Sequence, residues 1–410
     1  MQVVLATYGT TGDIQPLLGL TMELARRGHA TKFGAPPDFA ERVRRMGLDF
    51  VPLGPPMDPR ERREVYDRAS RTADVVEHIR RTLPLAIRDT PQMVEELASA
   101  CAGADVLISL PYQLAGRIVH ELRHIPLVSV HLSPFGGYSR RFAAESARLI
   151  NELRACYGLG GLKDPLGIDG SSPMLALYGV SPAVFLRPRH WPEHHRMAGF
   201  FFLDEEWTPD PALEQFIAAG EPPVVISFGS MLHESPELLT EIVLGAIERA
   251  GKRAVIQKGW TGLGSQTNRD DIHVAGFVPH HWLFPRAACV VHHGGAGTTA
   301  ATLRAGVPSV IVPHMLDQFI WATLLKERGC ATDVPLGEMT AESLASAIEM
   351  ALDPNCRSAA AAFSGRISQE NGASTAADLI EEVFERTVRT ECSTAFSNRD
   401  CVTEVQEPFR

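Results

Sequence analysis

Short apolar runs and longer amphipathic stretches alternate along most of this chain. The apolar runs that predict strands are Val3–Thr7, Ala30–Gly34, Val106–Leu110, Leu127–His131, Val224–Ser227, Ala254–Gln257, Cys289–His292 and Ser309–Val312. The stretches with helical periodicity that follow them include Pro16–Arg27, Ala115–Arg123, Glu237–Ala250 and Thr298–Ala305. This alternation is typical of a parallel sheet covered by helices on both faces.

The alternation of predicted strands and helices stops once along the chain and then starts again, which predicts two domains. Residues 206–222, rich in acidic residues and proline, form the predicted linker. We predict an α/β fold in which two Rossmann-like parallel-sheet domains, 1–205 and 223–375, face each other across a cleft. A helix over 376–390 is a candidate to return to the N-terminal domain. Residues 391–410 have no periodicity and are expected to be a loose tail.

Charge and cysteine content narrow the class of protein. A net charge of −10 argues against a nucleic-acid partner, which would need a basic face. The seven cysteines form no C-x-x-C pair, so reduced thiols in a cytoplasmic protein are the simpler expectation. The N-terminus lacks the basic segment of a signal peptide. No run reaches the length of about eighteen apolar residues that a membrane helix needs.

The most informative stretch of the chain is the turn His293–Thr298. A predicted strand delivers the histidine, and small residues then allow a tight turn into a helix. The unpaired N–H groups and positive dipole end of such a helix bind anions. Gly295 and Gly297 permit close approach of a phosphate, and Thr298 adds a hydroxyl donor. The alternative is a tight connection in which His293 only caps the helix.

Two segments near this turn suit the other parts of a nucleotide sugar. Asp317 and Gln318 follow the next predicted strand and supply an acid and an amide for vicinal sugar hydroxyls. The upstream segment Phe277–Phe284 offers an aromatic face for a base.

These segments, taken in order, resemble the inverting two-domain (GT-B) nucleotide-sugar glycosyltransferases. That family includes sterol glucosyltransferases, natural-product glycosyltransferases and the rhamnolipid rhamnosyltransferase. The likeness covers nearly the whole chain, to about Arg389, and is weakest over Met57–Leu97 and Gly136–Pro173, where such enzymes build acceptor pockets. The motifs that carry it are Gly9–Pro16, Ile226–Met231, Val278–Pro285, His292–Thr299, Gly306–Pro308 and Asp317–Gln318.

The resemblance implies a role for each matching position of the donor site. Phe277 would stack on the base, and the Val278 backbone would hydrogen-bond the base edge. Asp317 and Gln318 would grip the sugar. The positions that would surround the pyrophosphate and the reaction centre are Thr10, Thr11, Gly12, Gly229, Ser230, His293, Gly295, Ala296, Gly297 and Thr298.

The resemblance also implies the reaction: transfer of a hexose from a UDP- or dTDP-sugar to an acceptor hydroxyl, with inversion. Many members place a histidine in the N-terminal turn as general base. This chain has Asp13 there, and it offers Ser109 or Tyr112 where a supporting aspartate usually follows. Asp13 would take the proton, and the helix end with His293 would stabilise the diphosphate, so we expect no metal and no cofactor. The alternative for Asp13 is a helix N-cap ahead of Pro16.

The acceptor is less defined. Aromatic residues in the N-terminal half suit a lipophilic molecule such as a sterol or polyketide, although any core needs such residues too. The candidate acceptor residues are Tyr112, His131, Phe135 and Phe142. His131 is also the next candidate for the base. The chain is expected to act as a monomer or homodimer.

Other functions remain alternatives at this stage. His120-Glu121-Leu122-Arg123-His124 matches the zinc-peptidase pattern, although Pro126 ends the helix too early for it. A sugar-nucleotide epimerase would be expected to carry more acids and arginines in its cleft. A degenerate, non-catalytic partner would usually have lost His293 or Asp317-Gln318, which are intact. A glycolipid-forming, rhamnosyltransferase-like enzyme is the alternative within the family.

Overall fold

Two parallel sheets organise the protein, which confirms the predicted α/β fold of two Rossmann-like domains. The computed structural model describes residues 1–58, 60–61, 74–134, 139–231, 235–260, 262–264, 267 and 269–400, with 387–400 as backbone only. Across this described part, none of the helices is long and apolar enough to span a membrane.

The first sheet has seven strands and the second has six. The strands of the first sheet are β1 (Gln2–Ala6), β2 (Ala30–Ala35), β3 (Asp49–Pro52), β4 (Val106–Ser109), β5 (Leu127–His131), β6 (Leu175–Tyr178) and β7 (His195–Met197). Those of the second are β8 (Val224–Ser227), β9 (Ala254–Gln257), β10 (Ile272–Ala275), β11 (Cys289–His292), β12 (Ser309–Ile311) and β13 (Ala331–Asp333). The strand orders are β3-β2-β1-β4-β5-β6-β7 and β10-β9-β8-β11-β12-β13, and all pairings are parallel.

Helices connect these strands. In the N-terminal part they are α1 (Thr11–Arg26), α2 (Ala40–Arg45), α3 (Val75–Ala100), α4 (Leu114–Arg123) and α5 (Arg140–Ala155). In the C-terminal part they are α6 (Pro211–Ala218), α7 (Pro236–Ala250), α8 (His280–Leu283), α9 (Ala296–Ala305), α10 (Asp317–Glu327), α11 (Ala341–Ala351), α12 (Pro354–Ile367) and α13 (Gly372–Asp400). Within the described segments, three short 3-10 turns lie at Pro37–Phe39, Phe284–Arg286 and Leu336–Glu338.

The central strands are apolar because helices cover both faces of each sheet. Every residue of β4, β5, β8, β9 and β11 is buried. Such strands cannot alternate polar and apolar positions, so they appear in the sequence as continuous apolar runs. Their carboxyl ends meet at one edge of each sheet, where ligands bind in folds of this kind.

Helix α1 begins at Thr11, five residues before the predicted start at Pro16. Thr10 is the N-cap, and the Asp13 carboxylate Oδ2 accepts a hydrogen bond from the Thr10 N–H at 2.8 Å. This contact pairs one of the N–H groups that a helix start leaves unsatisfied. The first turn is therefore stable despite the proline that follows.

The last helix packs on the N-terminal domain. Its residues Ala376, Ala377, Leu379 and Ile380 are buried in the core that also contains the inner face of α1. It begins at Gly372 and continues to Asp400, so the expectation of a loose tail from 391 was wrong for 391–400. The sequence between 391 and 400 contains no proline or glycine to end the helix. Residues 401–410 lie outside the described residues.

The predicted linker contains a helix that belongs to the second domain. Leu213 of α6 is buried against Val225 and Val255, which lie on β8 and β9. Asp210 caps this helix, because its side chain accepts from the Ala212 N–H at 3.0 Å. The sheets themselves lie within the predicted ranges 1–205 and 223–375.

Candidate functional site

A cavity of about 470 Å³ lies between the two domains, at the carboxyl ends of the strands of the second sheet. Both halves of the chain and the segment between them contribute to it. Its lining from the first domain and the connecting segment is Thr10, Thr11, Gly12, Gln15, Pro16, Leu132, Gly179 and 200–204. Its lining from the second domain is Ser227, Gly229, Ser230, 257–260, Gly276, Phe277, His280, His281, His293, 295–298, Ala300, Ala301 and Arg304.

The N-terminus of α9 opens into this cavity. Gly294 adopts φ +87°, and Gly295 is the N-cap with extended backbone. The first carbonyl to accept within the helix is that of Gly295, from the Thr299 N–H at 2.9 Å. The N–H groups of residues 296–298 therefore have no partner inside the helix, and these residues line the cavity. The sequence predicted this anion site, and the structure brings its residues together.

The His293 imidazole lies against two glycines. A Cβ on Gly295 would lie 2.3 Å from His293 Nε2, and one on Gly229 would lie 3.4 Å from Cε1. Gly229 also has φ +58°, a conformation that favours glycine. The two glycines thus leave room for the imidazole beside the start of α9, and all three residues line the cavity.

Two further histidines support the same region. His292, the last residue of β11, is fully buried, and its Nδ1 accepts from the Gly294 N–H at 3.1 Å. Burial lowers the pKa of His292 well below its usual value, so it acts as a neutral acceptor that fixes the turn. His280 lines the cavity, and burial lowers its pKa to about 4.

The loops after β9 and β10 form one end of the cavity. Phe277 is 64% exposed and lines the cavity. Val278 is 2% exposed and is not among the lining residues. The Val278 carbonyl accepts from Gln257 Nε2 at 2.8 Å. Lys258 and Trp260 line the same end, and the Trp260 N–H donates to the Gly229 carbonyl at 3.1 Å.

Sequence reasoning missed Gln257, Lys258 and Trp260. The available signal was their position at the end of the predicted strand Ala254–Gln257. The carboxyl ends of parallel strands are where such folds bind ligands.

On the opposite wall, Thr10, Thr11 and Gly12 face the cavity from the start of α1. Among the described residues that line it, Asp13 is absent. The Asp13 carboxylate instead accepts from the Thr10 N–H, and its Oδ2 lies 3.4 Å from Thr10 Oγ1. A capping role therefore holds for Asp13, although at the third helical position rather than at the N-cap itself. Its assignment as the base stays a prediction.

Asp317 and Gln318 lie beside the cavity rather than on its lining. Ser133 Oγ, from the first domain, donates to Asp317 Oδ2 at 2.5 Å, and burial raises the pKa of Asp317. Gln318 Oε1 accepts from the N–H groups of His314 and Met315, at 2.8 and 3.1 Å. The Gln318 amide therefore supports its own loop, and a sugar would have to compete with Ser133 for Asp317.

The three predicted acceptor residues that the structure describes do not line this cavity, and their role in acceptor binding stays a prediction. His131 stacks on Tyr178 with ring centroids 4.5 Å apart, and its Nε2 lies 2.9 Å from Ser171 Oγ. Burial lowers its pKa to about 3. Phe142 is buried in the core beneath α3, and Tyr112 packs against the same core. Phe135 lies outside the described residues.

The segment that connects the domains supplies the apolar part of the lining. Phe200, Phe201 and Leu203 are among the lining residues. Arg304 holds this segment from the second domain, because it pairs with Asp204 at 2.7 Å and lies 4.0 Å from the centre of the Phe202 ring. The cavity thus combines a helix N-terminus with an aromatic and aliphatic wall.

The two histidines of the zinc-peptidase pattern, His120 and His124, are not placed to bind a zinc ion together. Helix α4 ends at Arg123, and His124 follows with φ +52°. His120 Nδ1 donates to a backbone carbonyl at 2.6 Å, and Glu121 pairs with two arginines. The two histidines therefore do not share a helical face, as a zinc peptidase would require.

Two family models match the chain. The glycosyltransferase family 28 N-terminal domain matches residues 3–135, and the erythromycin biosynthesis protein CIII-like C-terminal domain matches residues 255–384. The first match covers most of β1 and all of β2–β5 of the first sheet, and the second covers most of β9 and all of β10–β13 of the second sheet.

Known proteins are similar over most of the chain. An O-mycaminosyltylonolide 6-deoxyallosyltransferase of Streptomyces fradiae is 32% identical over 427 residues, covering 93% of this chain and 97% of that protein. A sterol 3-beta-glucosyltransferase of Arabidopsis thaliana is 29% identical over 411 residues, covering 91% of this chain. The chain spans 64% of the length of that plant protein.

The fold is shared with solved structures. The structure of a glycosyltransferase from Streptomyces sp. SF2575, complexed with thymidine diphosphate, matches with a TM-score of 0.69 at 20% identity. The match covers 93% of this chain and 99% of that one.

Proposed function

This chain belongs to the family of two-domain, nucleotide-sugar-dependent glycosyltransferases, and on that basis we propose that it moves a hexose from a UDP- or dTDP-sugar to a hydroxyl of a lipophilic small molecule, with inversion. The observation that carries the proposal is the start of α9, which opens into a cavity between the domains beside His293. Sterols and macrolides, the acceptor types named for the relatives, are the classes to test first.

The donor diphosphate binds at this helix start. The N–H groups of residues 296–298 and the positive end of the α9 dipole complement its charge. His293 and Ser230 add polar groups from the same side. As the sugar leaves, negative charge grows on the diphosphate, and donors fixed in advance stabilise it without rearrangement. We therefore propose catalysis without a metal ion.

The acceptor enters along the apolar wall. Phe200, Phe201 and Leu203 give the cavity an apolar lining that suits a lipophilic molecule. Thr10 and Thr11 face the diphosphate site from the other domain, so the acceptor hydroxyl meets the donor between them. The acceptor oxygen attacks the anomeric carbon, the bond to the diphosphate breaks, and the proton passes to a base. Asp13, at the start of α1, is our proposal for that base.

We also propose a cytoplasmic location. The five cysteines whose side chains the structure describes are free thiols, and four of them, Cys101, Cys289, Cys330 and Cys356, are buried. Free thiols are usual in a reducing compartment, which supports this location.

A donor-by-acceptor activity screen tests the proposed function. UDP-glucose and dTDP-sugars are each combined with sterols and macrolide aglycones, and products are detected by mass spectrometry. We expect an acceptor that gains the mass of one hexosyl residue, which is a hexose less one water. If no combination yields a glycoside, and no donor is hydrolysed above the background rate, the proposal is wrong.

A further inference from the structure

Gln257 is the last residue of β9, at the edge of the second sheet that faces the cavity. In the parallel register it lies between Ser227 on β8 and Ala275 on β10. The residue is 7% exposed and contributes to the cavity lining. It is therefore a nearly buried polar residue in the wall of the cavity.

The amide of Gln257 has a defined orientation. Its Nε2 donates to the Val278 carbonyl at 2.8 Å. Because only the nitrogen of the amide can donate, the amide cannot be flipped without losing this bond. Its Oε1 is buried and has no hydrogen-bond partner in the described part of the chain. Buried polar atoms without a partner are rare in folded proteins and unfavourable.

The surroundings of this oxygen indicate which part of a nucleotide sugar would reach it. Phe277 and Trp260, in the loops after β10 and β9, line the cavity and present aromatic surface. The anion-binding start of α9 follows β11, which lies two strands from β9 in the order β9-β8-β11. Adjacent strands are about 4.8 Å apart, so the two positions are separated by about 10 Å. With the diphosphate at α9, this separation places the nucleoside at Gln257.

We infer that Gln257 recognises the nucleoside of the donor by accepting a hydrogen bond at Oε1. The inference rests on the proposed function, since it requires a nucleotide in the cavity. The uridine or thymidine of the proposed donors offers two kinds of donor group, the sugar hydroxyls of the nucleoside and the N3–H of the base. Gln257 is thus a specificity-determining residue, because a nucleotide without the matching donor leaves Oε1 unpaired.

Calorimetric titration of the full chain with four nucleotides tests this inference. The four are UDP, 2′-deoxy-UDP, 3′-deoxy-UDP and N3-methyl-UDP. The chain should bind UDP about tenfold more tightly than the one analogue that lacks the group bound by Gln257, the effect of one hydrogen bond. The weakened analogue then shows whether the ribose or the base supplies the donor.

A variant shows whether Gln257 binds the nucleoside or only supports the backbone at Val278. Gln257→Met keeps the length of the side chain but removes the amide, so UDP should bind about tenfold less tightly and the discrimination against that analogue should disappear. Gln215→Met, on the exposed face of α6, is the matched control and should retain the wild-type affinities.

Three results would overturn the inference. One is a wild-type chain that binds all four nucleotides equally, a test that needs no variant. Another is a Gln257→Met chain that still discriminates fully between UDP and the weakened analogue, for example because its affinity for all four nucleotides falls by the same factor. The Gln257 amide would then serve only to hold the Val278 carbonyl. The third is a wild-type chain that binds none of them; if that chain also fails to bind dTDP, the proposed function is refuted as well.

Discussion

Gly295 determines where the His293 imidazole lies. In Gly295→Ala the new Cβ would lie 2.3 Å from His293 Nε2, so the ring has to move away from the start of α9. We expect the affinity for UDP and dTDP to fall about 10- to 100-fold, the range for a lost hydrogen bond to a charged group. Gly365→Ala, where a Cβ meets no atom within 4 Å, is the control. Equal calorimetric affinities for the two variants would contradict this placement of His293.

Asp13 combines a structural contact with a predicted catalytic role. Asp13→Asn keeps an oxygen that can accept from the Thr10 N–H, but the amide cannot take a proton from the acceptor. Turnover should fall about 10² to 10⁴-fold, while the melting temperature and donor affinity stay near those of the wild type. Near-normal turnover would move the base elsewhere. His131 could not replace it, because that ring is buried beneath Tyr178.

The role of a single residue could be predicted where its interaction partners lie close to it in the sequence. The turn His293–Thr298 could be predicted because a strand, a histidine, glycines and a helix start occur together in sequence. The surroundings of Asp317 and His131 could not, because their partners Ser133, Ser171 and Tyr178 come from distant segments. Sequence alone gives no sign that these partners occupy the side chains.

At the scale of elements, Arg27 joins the first helix to the last. It pairs with Asp378 at 2.6 Å and Glu381 at 2.8 Å, and its side chain is 16% exposed. Arg27→Ala should lower the free energy of unfolding by about 1–3 kcal/mol, since it removes the hydrogen bonds that the partly buried Glu381 carboxylate and Ser374 carbonyl accept. Denaturant titration measures this change, and hydrogen exchange should show faster opening of α13.

The neighbouring Arg26 is the control for this prediction. Its side chain is 69% exposed and pairs only with Glu23 among the described residues. Arg26→Ala should leave both the unfolding free energy and the exchange of α13 unchanged, because exposed ion pairs contribute little. Equal effects of the two substitutions would show that Arg27 does not hold the last helix.

The elements themselves were predictable where their apolar pattern was strong. The central strands β1, β4, β5, β8 and β11 are continuous apolar runs and were found. Helix α3 was missed because Pro84 and Pro91 lie inside it, and packing of its buried face overrides their cost. Edge strands such as β13, Ala331–Asp333, are too short and polar to stand out.

At the scale of the whole molecule, buried histidines make stability depend on pH. Burial lowers the pKa of His131 to about 3 and that of His195 to about 4, from 6.5. Both are neutral in the folded protein, whereas the unfolded chain takes up protons below pH 6.5. Stability should be full above pH 6.5 and fall towards pH 4, by up to about 1.4 kcal/mol per pH unit for each imidazole.

Denaturant titrations at several pH values between 7.5 and 5 measure this slope. His280 and His292, whose pKa values burial also lowers, add to the same slope. His195→Asn removes one of these buried imidazoles and should reduce the slope, whereas substitution of the exposed His190 by Gln should not. A free energy of unfolding that stays constant over this range would mean that the two buried rings do not resist protonation.

We propose that protein groups alone hold the donor diphosphate at the start of α9. Calorimetric titration of UDP and dTDP into the full chain, with and without EDTA, measures whether they do. We predict one site per chain with a Kd below about 1 mM for at least one of the two nucleotides, unchanged by EDTA, because helix N–H groups and His293 take the place of a cation. Absence of binding at millimolar nucleotide, or binding that EDTA abolishes and magnesium or manganese restores, would contradict the account.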